Sequence, residues 1–219
     1  MSTRSRRGMG RNLLRSLNLF VGLALFGISI ALMVRAELGL ASWDVLHQGI
    51  AMWTGLPLGW IVNGVAVLVL LLWIPLRQRP GLGTISNVIM VGLAVETALR
   101  LLPPVEHLAA RVGLLILAIV LNGVATGLYI GARFGPGPRD GLMTGLAARG
   151  YSIRAVRTVI EFAVLSVGWL LGGTVGVGTL LYAAAIGPLA HYLIPKLTIS
   201  DKNHDVLQNP EGAPQLCHA

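Results

Sequence analysis

The sequence predicts an all-α polytopic membrane protein of six transmembrane helices. They form two inverted three-helix repeats, each with a short re-entrant or interfacial helix after its first span. Three observations carry this. The 219 residues are 54% hydrophobic and only 12% charged, with a mean hydropathy of +0.73, more apolar surface than one soluble domain of this size can hide. Six runs approach the ~20 apolar residues that cross hydrocarbon. And Gly39-x4-Asp44-x-Leu46-x2-Gly49-x-Ala51 returns, from position 39 to position 135, as Gly135-x4-Asp140-x-Leu142-x2-Gly145-x-Ala147, the self-similarity of a duplicated unit.

Residues 1–16 form a basic N-terminus with Arg4, Arg6, Arg7, Arg11 and Arg15. With the apolar run that follows and Val34-Arg35-Ala36 they imitate a signal peptide; that reading yields to the duplication, because cleavage would delete the counterpart of the fourth span. The first repeat, 17–105, holds spans at Leu17–Val34, Leu58–Leu76 and Thr84–Leu102. Between the first two, Arg35–Gly55 is too long for a tight turn. Ser42 or Asp44 can cap a short helix through Met52, and Trp43 and Trp53 suit a membrane interface.

The second repeat, 111–196, holds spans at Gly113–Ala132, Ala155–Leu171 and Leu180–Pro195. Its loop Phe134-Gly-Pro-Gly-Pro-Arg-Asp-Gly141 is dense in residues that prevent regular helix, leaving two turns at Leu142–Ala148. Other pairs keep step: Gly27 with Gly123, Ala36 with Ala132, Gly81-Leu82-Gly83-Thr84 with Gly176-Val177-Gly178-Thr179, and Gly92 with Gly187. The polar tail 197–219 is expected to be disordered. It holds the only cysteine, Cys217, so the chain forms no internal disulfide and no cysteine-based metal site.

Charge sets the orientation. With the N-terminus in the cytoplasm, fourteen of the seventeen Lys and Arg fall on the cytoplasmic side, and only Arg35, Arg100 and Arg111 on the other. That bias places both termini inside. The net charge of +8 is thus a topology signal, because no soluble module exists to present the cations to nucleic acid. Three spans per unit make the second unit run in the opposite sense. Asp44 then faces the exterior side and Asp140 the cytoplasmic side, related as in many secondary transporters.

Two readings of Asp44 and Asp140 stand side by side. Each can cap its short helix by accepting a backbone N–H two or three residues on. Equally, a carboxylate at matching positions, with Arg139 beside one copy, suits a polar pathway, since intramembrane charge is expensive. Arg154, Arg157 and Glu161 share one helical stripe; Glu161 either neutralises Arg157 or handles a substrate or proton. Glu96 and Arg100 repeat that spacing, and His191 occupies the position equivalent to Glu96. Asn63 and Asn122 are expected to bridge helices. Gly123-x3-Gly127-x3-Gly131 is expected to pack on the first span at Gly27 and Ala31, and Thr84 and Thr179 to serve as N-caps.

Gly135-Pro-Gly-Pro-Arg-Asp-Gly-Leu-Met143, Ser42-Trp-Asp-Val-Leu46, the two Gly-x-Gly-Thr openings and Gly187-Pro188 together resemble the YczE-like bacterial integral membrane proteins, related to the YitT/YyaS group. The likeness spans roughly residues 17–195. It implies a multi-pass topology and brings no established reaction or substrate. Leu40-Ala41-Ser42 stands where the second copy has glycine and proline, so the first loop is expected to be stiffer.

The expected function is a secondary transporter or exporter of a small solute, with Asp44, Asp140, Arg139, Glu161 and Arg157 along the substrate or ion pathway. The rival is a membrane accessory protein that binds or regulates a partner. Catalysis is not expected, because His-Glu-x-x-His, Gly-x-Ser-x-Gly, an intramembrane cysteine and a phosphate-binding loop are all missing from the sequence. No cofactor or metal is expected. The expected partners are the lipid bilayer, a small-molecule substrate and further copies of the chain meeting through glycine-rich faces.

Overall fold

The computed structural model describes residues 3–199, with side chains from residue 11 onward; the rest of the tail, with Cys217, lies outside the described residues. The fold is all-helical. Its elements are α1 (Thr3–Ala36), α2 (Ser42–Thr54), α3 (Leu58–Leu71), α4 (Trp73–Leu76), α5 (Leu82–Leu101), α6 (Leu108–Gly131), α7 (Pro138–Ala147), α8 (Ile153–Leu170) and α9 (Val177–Leu197).

Among the described residues, five segments are long and apolar enough to cross a membrane: Arg11–Ala36, Leu58–Leu76, Leu82–Leu101, Leu108–Gly131 and Val177–Leu197. The remaining expected span, α8, has 18 residues but departs from the other five in carrying Arg154, Arg157 and Glu161. The second segment breaks between α3 and α4 at Leu72. Pro75 lacks the N–H that would bond the carbonyl of Leu71, and its ring crowds that carbonyl.

The core is built on α1 against α6, which run antiparallel. Gly22 lies against the backbone of Ala125 and Tyr129, Ser29 meets Asn122, and Met33 and Ala36 cluster with Leu115 and Ala118. Helix α5 packs on α1, where Gly27 meets Val91 and Ala94, and α9 packs on α6. The glycine row Gly123, Gly127 and Gly131 therefore does not face the first span. It receives Leu189, Leu193 and Leu197 of α9, because the antiparallel α1 already fills the neighbouring face of α6.

The loops that leave α1 and α6 have the same backbone. Glu37 and Arg133 both have positive φ (51° and 58°), and Gly39 and Gly135 follow at 116° and 117°, values that only glycine adopts without strain. Each loop docks on the opposite half. Leu38 O accepts the N–H of Gly178 at 2.7 Å, and Phe134 O that of Gly83 at 2.9 Å. The threonines sit one turn inside their helices and accept the Gly81 and Gly176 N–H groups, so they reach back to the cap position where the sequence suggests caps proper. Thr84 also donates to Pro136 O at 2.7 Å.

Asn122 joins three helices. Its Nδ2 donates to Ser29 Oγ at 2.8 Å, and its Oδ1 accepts the hydroxyl of Tyr182 at 3.0 Å. Asn122→Ala is expected to lower stability by about 1 kcal/mol, read as a lower melting temperature in detergent. An unchanged melting temperature would show that this bridge contributes nothing.

Candidate functional site

Helices α2 and α7 bring their first turns together, and their capping differs from expectation. Neither Asp caps its helix. The N-cap of α2 is Ala41 and that of α7 is Gly137, with no side-chain cap bond at either. Helix α7 also starts earlier than the loop composition suggests, because Pro138 occupies a first-turn position where its missing N–H costs nothing. Both carboxylates are thereby free for other partners.

One of those partners comes from the other half of the chain. Arg139 Nη2 lies 3.6 Å from Asp44 Oδ1, an ion pair between the two halves. The same guanidinium stacks over Trp43, 4.9 Å from the ring centre. Trp43 is buried between the helices, whereas Trp53 is 78% exposed. Asp140 Oδ2 accepts the hydroxyl of Tyr129 at 2.8 Å. An ionised carboxylate only accepts, so His47 Nδ1 carries the hydrogen in its 3.3 Å contact with Asp44 Oδ1. With that hydrogen on Nδ1, the neutral imidazole leaves Nε2 as an acceptor, and this atom, like Trp43 Nε1, is buried without a partner.

These groups border a cavity of about 640 Å³ walled by α2, α3, α6, α7, α8 and α9, with Phe26 of α1 and Asn87 and Val91 of α5, within the size range of small-molecule sites. Arg139, Asp140, Arg157 and Glu161 line it, together with His47 and Tyr182; Asp44 stands behind Arg139 and is not part of the wall. Arg157 and Glu161 face this space without an ion pair to each other among the described residues, whereas the similarly spaced Glu96 and Arg100 do pair at 3.1 Å. His191 is exposed and away from the wall.

The cavity's shape comes from a difference between the two halves. Gly92 of α5 lies against Gly59 and Asn63 of α3 so tightly that a Cβ there would sit 2.0 Å from Asn63 Oδ1. Asn63 also accepts the Gly92 N–H at 3.0 Å, the bridge expected of an intramembrane amide. At Gly187, the counterpart of Gly92, a Cβ would meet nothing within 4 Å. Thus α3 and α5 are shut together, while α8 and α9 stand apart with the cavity between them.

Five of the wall or network residues carried no sequence argument as site members: Trp43, His47, Tyr129, Asn122 and Tyr182. For His47 a signal exists, since Asp44-x-x-His47 places an acid and an imidazole on one helical face. Tyr129 and Tyr182 reach the site only through tertiary packing.

A fold of long apolar helices around a charged internal cavity defines an integral membrane protein. The family model described as "Family of unknown function (DUF6198)" matches residues 13–195, and the chain belongs to that family. An uncharacterized protein of Haemophilus influenzae is 40% identical over 177 residues, 80% of this chain and 81% of its own. The uncharacterized membrane protein YczE of Bacillus subtilis is 30% identical over 180 residues, 81% of this chain and 84% of its own. The uncharacterized protein YyaS of the same organism is 27% identical over 182 residues, 80% and 90% of the two chains. These relatives agree with the YczE-like resemblance. No solved structure matches the chain.

Proposed function

We propose that this protein is a secondary transporter or exporter of a small solute in the bacterial inner membrane. In this reading it spans six times, as two inverted three-helix repeats with both termini in the cytoplasm, and α2 and α7 are re-entrant helices whose first turns meet inside the bilayer. The observation that carries it is the charged cavity shut on the α3–α5 side and parted on the α8–α9 side.

Several features support the reading. The antiparallel α1 and α6, the paired loop conformations and the reciprocal docking suit units of opposite sense. Helix α8, at 18 residues, is about 27 Å long, close to the thickness of hydrocarbon, and Arg157 and Glu161 turn toward the cavity where they would otherwise meet lipid. Irregular backbone at membrane depth must be enclosed or line a cavity, and both breaker loops are docked on helices. With the charge bias setting direction, the cavity is open to the cytoplasm, and exchanging the closed and open helix pairs would open it to the exterior.

The test is a proteoliposome assay with an internal pH dye and a panel of amines, amino acids and carboxylates. At least one solute is expected to drive proton movement through the wild type, and Asp140→Asn is expected to abolish it while insertion and monodispersity persist. A protein that only scaffolds a partner would give no solute-dependent movement with any member of the panel, and that result would end the proposal.

A further inference from the structure

We infer that the cavity takes a monovalent cation bearing N–H donors, an amine or guanidine, and that this cation and a proton compete for Asp140. The inference rests on the transport reading above and adds the substrate class and the coupling.

Charge balance selects the ligand. Arg139 is matched by Asp44 at 3.6 Å and by the Trp43 face. Arg157 has Glu161 one turn further along α8, both turned to the same space. Asp140 is the carboxylate left over. Its partner is the hydroxyl of Tyr129 at 2.8 Å, which donates a hydrogen bond and supplies no charge. The titratable groups that share the cavity wall with it are Tyr129 of α6, Arg139 beside it on α7, His47 on α2, Tyr182 on α9, and Arg157 with Glu161 on α8. Among them, two guanidinium groups face three carboxylates once Asp44 is included, one negative charge in excess.

An uncompensated charge enclosed by apolar helices is costly. Either a proton or a monovalent cation on Asp140 cancels it, and an anion or a zwitterion does not. The acceptor at His47 Nε2, buried in the cavity wall with no partner of its own, favours a cation that carries N–H groups. Both occupied forms of the site are neutral and the empty one is charged. Moving the site across the membrane therefore favours exchange: as one cation binds, one proton leaves Asp140, and as the cation departs, a proton returns.

Calorimetric titration of the purified full chain tests this with three probes of one size: 2-phenylethylammonium, phenylacetate and phenylalanine. The amine is expected to bind, to release about one proton as judged from buffers of different ionisation heat, and to bind more tightly as pH rises. Asp140→Asn is expected to weaken it about tenfold to a hundredfold and to remove the proton release, while Asp140→Glu keeps the release and shows that the position tolerates substitution. Preference for phenylacetate or phenylalanine, amine binding without proton release, or no amine binding would overturn the assignment. Proton movement in proteoliposomes driven by phenylalanine but not by the amine would overturn the cation class and leave transport standing; no movement with any solute would remove transport itself.

Discussion

Gly168→Ala is expected to dismantle the packing of α2 on α8. A methyl group at this position would lie 2.4 Å from Leu46 N, 2.5 Å from Leu46 Cα and 2.6 Å from Val45 C. All three are backbone atoms of α2, so no rotamer change relieves the overlap. The opposing surface is equally tight, since a Cβ at Gly49 would lie 2.5 Å from Gly168 O. The cost is about 3 kcal/mol, the upper end for overpacking, and it falls on the helix that carries Trp43, Asp44 and His47. Thermal unfolding in detergent, followed by size-exclusion fluorescence, should show a lower melting temperature and loss of the monodisperse peak. Gly187→Ala is the matched control. Open space surrounds that position, and alanine favours helix over glycine by about 1 kcal/mol, so stability should hold or rise. Equal effects of the two substitutions would refute the packing described for α2 and α8.

A disulfide between Thr158→Cys and Gly187→Cys, in a Cys217→Ser background, is expected to arrest the protein. Thr158 of α8 and Gly187 of α9 line opposite walls of the parted side, at the positions equivalent to Asn63 and Gly92 on the shut side. If the two sides exchange roles, α8 and α9 approach as α3 and α5 do here, the two sulfurs come within bonding reach, and oxidation traps the closed form. Solute-driven proton movement should then fall to background and return on reduction. Thiols that react freely with maleimide yet never cross-link under a catalytic oxidant would show that the parted side does not close. The same logic gives Gly187→Ala its second use: a stable protein with impaired transport would mark this site as a contact made only in the other state.

Most of the helices were legible because apolar length and punctuation agree. The span boundaries near Leu58, Leu82 and Leu101 match the apolar runs to within two residues. The paired loops were visible as Gly39 with Gly135 and Asp44 with Asp140, since positive φ demands glycine at fixed offsets. Three things escaped. The N-terminal extension of α7 was hidden because Pro138 reads as a breaker in a loop but fits the first turn of a helix. The partner of the Gly123 row depends on which helix reaches α6 first, and periodicity along one helix says nothing of that. The Arg139 to Asp44 contact joins residues far apart in sequence, and no local pattern encodes it. Arg157 and Glu161 show the converse error: four-residue spacing permits an ion pair, but the open side of the cavity leaves each guanidinium and carboxylate room to point elsewhere.

The reciprocal docking of Leu38 on Gly178 and Phe134 on Gly83 bears on how such a chain comes into being. Each half meets the first turn of one helix in the other with a loop carbonyl, Leu38 O at α9 and Phe134 O at α5. Cutting the chain between α5 and α6 would leave two fragments, each missing the carbonyl that the other supplies. An early half formed first would hold the Gly83 N–H unmet until the late half supplied the carbonyl of Phe134.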